Sequence, residues 1–172
     1  ELGLKVIAAA GSDEKVSLAV SRGGPTARGF NYTDCDGTLF REKLRAAAGK
    51  GGVDVFVDAV GGEMLEAGIR SLNWDGRAVV VGFAGGGVIP KIPANILLVK
   101  NVSVNGLYWG AHAKANPALF AESARTIIDM WAAGRIKPHV SHRFSLAEAN
   151  QAFEVISSRK STGKVVLVPN LQ

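Results

Sequence analysis

Cysteine is almost absent from the sequence. Cys35 is the only one among 172 residues, so no disulfide can form within the chain, and a reducing compartment fits. No apolar run approaches the roughly 20 residues that a helix needs to cross a bilayer. Apolar residues make up 47% and charged residues 20% of the chain, which excludes a disordered or fibrous protein. We therefore expect a globular protein in the cytoplasm, with a mitochondrial location as the alternative.

The sequence also lacks the pattern of a nucleic-acid binder. The net charge is +5, and the basic excess lies in residues 87–172, which leaves a polyanionic partner as one interpretation. However, no basic run is longer than Arg159-Lys160, and no aromatic residues alternate with a basic stripe. We expect neither a nucleic-acid partner nor a membrane partner.

Glycine, in contrast, is abundant, with 21 residues. The glycines separate short apolar runs from helical patterns, and this alternation predicts an α/β fold with a parallel sheet between helices. Leu72 falls on the same predicted helical face as Leu65, Gly68 and Ile69. The predicted strands are 4–10, 29–32, 53–60, 77–83 and 102–108, followed after Pro138 by strand 140–144, a helix over 149–156 and strand 164–168.

Three glycine-rich or small-residue loops follow predicted strands, at Ala10-Gly11-Ser12, Val60-Gly61-Gly62 and 82–85. A doubly wound sheet binds its ligand where such loops leave the carboxyl ends of the strands. The usual dinucleotide fingerprint G-x-G-x-x-G is missing, however, and tight turns need glycine in any case. The residues alone leave a dinucleotide site as a weak hypothesis.

Six stretches of the sequence resemble one known family, the quinone oxidoreductase branch of the medium-chain dehydrogenase/reductases. They occur in the family's order and extend over nearly the whole chain. They are KVIAAAGSDEK (5–15), FNY (30–32), GGVDVFVDAVGG (51–62), IRSLNWDGRAVVVGFAGG (69–86), KIPANILLVKNVSVNGLYWG (91–110) and RKSTGKVVLVP (159–169).

The resemblance implies a Rossmann-type doubly wound parallel sheet that lacks its first strand. Residues 1–135 would be strands two to six of the dinucleotide-binding domain. Residues 136–172 would be a strand-helix-strand return segment of the GroES-like substrate domain. Because the first apolar run begins at Leu4 without a lead-in, we also expect residue 1 to be a cut rather than a natural start.

The resemblance further implies NADPH as the cofactor. No carboxylate follows the first strand to bind a ribose hydroxyl, and the amides of Gly11 and Ser12 could receive a phosphate instead. By resemblance, Lys15 and Tyr32 hold the 2′-phosphate. The alternative is a solvated helix lysine and a half-buried strand-end tyrosine. The stretch GGPTARG (23–29) is two residues longer than is usual in the family, which could displace Tyr32.

The remaining site residues are also assigned by resemblance. The strand ends Gly82-Phe83-Ala84 and Leu107-Tyr108-Trp109 would place backbone at the nicotinamide, although Phe83 and Trp109 could simply pack. Val60 would lie near the ribose. Lys164 would reach the pyrophosphate, or be a solvated lysine.

No metal site is expected. His139 and His142 lie three apart on a predicted strand and would point to opposite faces, while His112 and Cys35 stand alone.

The sequence therefore predicts one half of an NADPH-dependent oxidoreductase that reduces quinones or related enones by direct hydride transfer. The alternatives are a zinc-dependent alcohol dehydrogenase and a non-catalytic nucleotide-binding module. The resemblance implies a homodimer through strand 102–108, an apolar edge because of Val102, Val104 and Leu107. We expect residues 1–172 alone to be inactive and unable to bind NADPH productively.

Overall fold

The computed structural model describes residues 1–49, 51–87 and 89–169. The chain divides into two compact units, one formed by Lys5–Ala121 and the other by Glu1–Leu4 together with Glu122–Gln172. In chain order the elements are β1 (Ile7–Ala10), α1 (Asp13–Arg22), β2 (Arg28–Asn31), α2 (Gly37–Ala48), β3 (Val53–Asp58), α3 (Gly62–Arg70), β4 (Leu72–Val80), α4 (Ala94–Lys100), β5 (Ser103–Gly106), α5 (His112–Ala115), α6 (Pro117–Ala132), β6 (Val140–Ser145), α7 (Ala149–Ser157) and β7 (Lys164–Val168).

The strands of the Lys5–Ala121 unit form two parallel sheets rather than one. β1 pairs with β2, and β3, β4 and β5 pair in that order. No described residue bridges β1 and β3, and the break lies where the sequence analysis expected the missing first strand. The predicted α/β fold with parallel, Rossmann-type strands is confirmed.

Helix α2 joins the two sheets through a shared core. Its Phe40 and Leu44 are buried, with Ile7 and Phe30 from the first sheet and Val53 and Phe56 from the second packed around them. Asp36 begins the helix, and its Oδ1 accepts a hydrogen bond from the Leu39 amide at 2.7 Å. The aromatic ring of Phe40 meets the rings of Phe30 and Phe56 edge-on. The two sheets are thus held in one unit without strand pairing between them.

A second cluster lies under α3 and α4, against the three-stranded sheet. It contains Leu65, Ile69, Leu72, Ala78, Ile96 and Val102. The opposite face of β3 is exposed to solvent, since Val55 and Val57 are 42% and 64% exposed. One face of β3 is therefore covered by helices and the other is not.

Leu72 is part of β4 and not of the helix before it, so that part of the sequence prediction is wrong. The Ser71 amide donates to the Gly68 carbonyl, and the Ser71 hydroxyl donates to the Ala67 carbonyl, which ends α3. Leu72 then pairs with Val53, the next paired residue of β4 is Arg77, and the segment between them bulges out. Asp75 and Gly76 lie inside this bulge, and Asp75 has a φ of 60°.

The second unit contains the predicted strand-helix-strand segment. β6 and β7 form a parallel pair, with α7 between them in sequence. A turn of 3-10 helix at Leu146–Glu148 precedes α7, and Ser145 and Glu148 form a reciprocal capping box there. None of the described helices is long and apolar enough to cross a membrane.

Candidate functional site

The turn between β1 and α1 is built around Ser12. Its backbone is extended, and its hydroxyl accepts a hydrogen bond from the Lys15 amide at 3.3 Å, so Ser12 caps α1. Asp13 and Glu14 occupy the first helical turn, where their charges compensate the positive helix end. Asp13 also accepts a hydrogen bond from the Asn31 side chain at 3.0 Å. A phosphate here would therefore need positive charge from Lys15, in addition to the backbone amides.

The loop after β2 is held against this turn. The Tyr32 amide donates to the Ala10 carbonyl at 3.1 Å, and the Thr33 hydroxyl donates to the Gly11 carbonyl at 2.7 Å. Residues 23–27 of the longer stretch form a turn before β2, and Arg28 and Gly29 belong to the strand. The Tyr32 backbone therefore stays next to Ala10. The Tyr32 ring packs edge-on against Phe40, 6.1 Å between centroids. Gly11, Ser12, Lys15 and Tyr32 are thus brought together, and Thr33 joins them.

A buried carboxylate that the sequence analysis missed shapes the loop after β3. Asp58 is 3% exposed. Its carboxylate accepts from the amides of Gly61 at 2.8 Å and Val60 at 3.3 Å. These bonds end β3 two residues earlier than the predicted 53–60, because they fold the chain back on the strand end. An Asp followed three residues later by Gly at a strand end was the signal available in the sequence.

The loops after β3 and β4 are joined by backbone hydrogen bonds. The Ala84 amide donates to the Ala59 carbonyl at 2.8 Å, and the Gly85 amide donates to the Val60 carbonyl at 3.0 Å. The Phe83 ring lies directly over Gly61, where an added Cβ would come within 2.7 Å of Phe83 Cδ1. Gly61 has a φ of 79°, so both its conformation and this contact require glycine.

A cleft of about 530 Å³ opens where β4 and β5 end. Phe83, Leu107 and Tyr108 are 45%, 39% and 81% exposed there. The Leu107 amide donates to the Val80 carbonyl at 2.9 Å, which fixes the two strand ends relative to each other. The lining residues are Val80, Val81, Gly82, Phe83, Gly106, Leu107 and Tyr108. Of the predicted residues, Gly82, Phe83, Leu107 and Tyr108 are brought together in the cleft. Val60 and Ala84 are not among its lining residues and belong to the two joined loops.

Trp109 begins a turn of 3-10 helix after the cleft. Its indole lies 5.3 Å from the imidazole of His112 and 5.3 Å from the ring of Phe120, measured between centroids. Lys164 begins β7 in the other compact unit. Its amide donates to the His139 carbonyl at 2.8 Å, and its side chain is exposed.

The metal ligands that a zinc site would need do not converge in the described part of the chain. No group of three or more His, Cys, Asp or Glu residues there could hold an ion. His139 contacts the Thr162 hydroxyl at 3.3 Å, and His142 contacts the Ser141 hydroxyl at 2.9 Å and stacks on Phe144. The Cys35 thiol contacts the Asn31 carbonyl. These residues do not fit zinc coordination, and we derive no chemistry from a metal.

A larger groove of about 670 Å³ lies between α2 and α3, and contains none of the predicted site residues. Its charges are mixed and partly paired. Arg70 bonds Glu66 at 2.7 Å, and Glu63 accepts from the Gly37 amide. Nearby, burial and then repulsion from Arg45 and Arg41 lower the pKa of Lys100. A groove lined by both signs of charge selects no simple ligand, and we place no function there.

Comparison with known proteins decides the family. The profile for zinc-binding dehydrogenases matches residues 29–167. The chain belongs to the zinc-binding dehydrogenase family. Quinone oxidoreductase-like protein 2 from Bos taurus is 48% identical over 166 residues, which cover 96% of this chain and 46% of that relative. The resemblance to the quinone oxidoreductase branch is therefore confirmed.

Solved structures of this family also align with the chain. A mycobacterial protein in complex with NADPH aligns with a TM-score of 0.80 and 27% identity, over 98% of this chain and 50% of that one. An NAD-dependent alcohol dehydrogenase aligns with a TM-score of 0.76 and 26% identity, over 96% of this chain and 44% of that one. This zinc-binding dehydrogenase chain thus spans about half the length of its relatives.

Proposed function

We propose that the protein containing this chain is an NADPH-dependent oxidoreductase, and that it reduces quinones or related electron-poor enones by direct hydride transfer. The cleft at the ends of β4 and β5 carries the proposal, because it presents backbone and flat apolar side chains where a doubly wound sheet binds its cofactor. Relatives named as quinone oxidoreductases support the substrate class. A small molecule is the partner that a cleft of this size fits.

The two ends of the site would hold the two ends of the cofactor. Gly11, Ser12, Lys15 and Tyr32 would take the 2′-phosphate end, and the cleft would take the nicotinamide. When bound, NADPH supplies the hydride. Backbone amides and carbonyls at the strand ends orient a flat ring without depending on particular side chains. In this proposal Val60 lies by the ribose and Lys164 reaches the pyrophosphate. The backbone of Gly82 to Ala84 and of Leu107 to Trp109 forms the site for the nicotinamide ring. The boundary between the cofactor and substrate domains lies at residue 135.

The cofactor preference is tested with Lys15→Ala in the complete protein. Losing one charge-assisted contact to a phosphate should weaken NADPH binding by about 1.5–3 kcal/mol, roughly 10- to 150-fold. NADH lacks that phosphate, so its affinity should not change. Lys160→Ala, an exposed lysine after α7, is the matched control and should leave both affinities unchanged. Equal loss of NADPH and NADH binding in Lys15→Ala would refute the assignment of Lys15.

Two other functions make different predictions for the same protein. A zinc-dependent alcohol dehydrogenase would contain bound zinc and lose activity on chelation, and the family description favours testing this directly. A non-catalytic nucleotide-binding module would bind NADPH without oxidising it in the presence of a quinone. Metal analysis and a spectrophotometric NADPH assay distinguish these alternatives from the proposed reductase.

We also propose a homodimer through the edge strand β5. β5 pairs with β4 on one side only, so its other backbone edge is open in this chain. The apolar side chains of this edge support a dimer less than the sequence suggested. Val102 is buried and Val104 packs against the same core, so their apolar character serves the chain's own interior. Sedimentation of the complete protein at tens of micromolar tests the proposal, and a monomer would refute it.

A further inference from the structure

Three rings lie together on the connection between β5 and α6. Trp109 is in the 3-10 turn, His112 begins α5, and Phe120 lies in the second turn of α6. The Trp109 and Phe120 rings are stacked with an interplanar angle of 27°, and the Trp109 and His112 rings are tilted by 35°. Trp109 thus contacts two aromatic neighbours, and both follow it in the chain. We call these three residues the Trp109 clamp.

The backbone of this connection is held by local hydrogen bonds, and Asn116 caps α6 by accepting from the amides of Leu119 and Phe120. The Ala111 amide donates to the Tyr108 carbonyl at 3.1 Å, and the Asn116 amide donates to the His112 carbonyl at 2.9 Å. Both bonds are local and close single turns. The ring contacts are what join the end of the cleft to α6, over a span of eleven residues from Trp109 to Phe120.

The contact recorded for the His112 side chain is the one its ring makes with Trp109. Its Nδ1 is buried and has no hydrogen-bond partner among the described residues. A buried polar atom without a partner destabilises a protein, so the favourable contribution of this side chain comes from its ring and not from Nδ1. The contact with Trp109 is the interaction that accounts for the position of this imidazole.

We propose that His112 is a positioning residue, which holds Trp109 and thereby the backbone of Leu107 and Tyr108 in the conformation that binds the nicotinamide. This inference rests on the proposed function. Leu107 and Tyr108 line the cleft directly before the clamp. Without the clamp, the connection would have to be ordered when the cofactor binds, and that cost lowers affinity.

The test uses His112→Ala, His112→Phe and His112→Gln in the complete protein. His112→Ala removes one aromatic contact and should raise the dissociation constant for NADPH about three- to tenfold. His112→Phe should restore wild-type affinity and be at least as stable, because it keeps the ring and removes the unpaired nitrogen. His112→Gln keeps a polar side chain without a ring and should resemble His112→Ala.

His142→Ala is the matched control, since His142 stacks on Phe144 in the other compact unit. It should leave NADPH affinity unchanged. A second readout needs no cofactor. With every other tryptophan of the complete protein replaced by phenylalanine, Trp74 and Trp131 among them, the fluorescence of Trp109 should shift to the red in His112→Ala and His112→Gln, but not in His112→Phe.

The outcomes separate the inference from the function it rests on. Wild-type protein that binds no NADPH refutes the proposed function, and the inference with it. Wild-type binding that His112→Ala leaves unchanged refutes the inference alone. Loss of affinity in His112→Phe equal to that in His112→Ala refutes it too, because the nitrogen and not the ring would then be required.

Discussion

Gly68 lies in the last turn of α3, two residues before Arg70, and within a helix an alanine is ordinarily more stable than a glycine by about 1 kcal/mol. Here we expect the reverse. A Cβ on Gly68 would lie 2.3 Å from Phe56 Cε1, and 2.5 Å from both Cδ1 and Cζ of the same ring. Three ring atoms at less than van der Waals distance cannot be relieved by one small rotation, and the ring is packed against Phe40.

The magnitude follows from two opposing terms. Overpacking a core usually costs about 1–3 kcal/mol, and three simultaneous contacts place Gly68→Ala toward the upper end. Subtracting the helix preference of about 1 kcal/mol leaves a net destabilisation of about 1–2 kcal/mol. For a protein of this size or somewhat larger, that lowers Tm by about 5 °C. Urea unfolding of the complete protein measures the same loss.

Gly37→Ala is the matched control, since Gly37 is also helical and its added Cβ would meet Glu63 Cβ at 3.6 Å, an ordinary contact. It should be neutral or slightly stabilising. Phe56→Leu should relieve the clash, so the double variant should be less destabilised than the two single variants added together, by about 1 kcal/mol. If Gly68→Ala is as stable as wild type, or if the two changes are additive, the close approach of α3 to β3 is not as described.

Three further predictions concern the site, a cap and the sheet. Gly61→Ala should weaken NADPH binding, because the added Cβ would displace Phe83. Gly62 has a similar φ of 63° but no neighbour within 4 Å, so Gly62→Ala should weaken NADPH binding less. Equal losses of affinity in the two variants would refute this role for Phe83. Hydrogen bonds from the Ser145 backbone and side chain lower the pKa of Glu148. The stability they contribute should therefore be present above about pH 4.3 and be lost as the pH falls through the lowered pKa; a stability profile for Glu148→Gln identical to wild type would contradict this. Residues 1–172 alone should show no productive NADPH binding by calorimetry, because no strand among the described residues lies between β1 and β3. Micromolar binding with turnover would overturn that expectation.

The order and type of the main elements could be predicted from local patterns. The alternating valines of residues 53–60 predict a strand, which the structure shows at Val53–Asp58, and the serine at residue 12 before two acidic residues predicts a helix start. Boundaries were less predictable. Leu72 continues the apolar spacing of α3, so periodicity alone assigns it to the helix, whereas pairing with Val53 assigns it to β4.

The site was predicted in part, and mostly through resemblance. The small-residue loops at the carboxyl ends of the strands follow from sequence, because their glycines and serines are turn formers wherever they occur. The carboxylate of Asp58 was missed because alternation along β3 does not distinguish a buried acid from an exposed one. The roles of all the predicted cofactor-binding residues stay predictions.

The sequence by itself determined the α/β class, the alternation of strands and helices, and the places where the chain turns. These features depend on residues only a few positions apart, whose conformational preferences act in any context. The tertiary structure alone decided that Phe83 lies over Gly61, that Val102 and Val104 face inward, and that α2 joins two sheets that do not pair. Those features depend on contacts between residues far apart in sequence, so they exist only once the chain has folded.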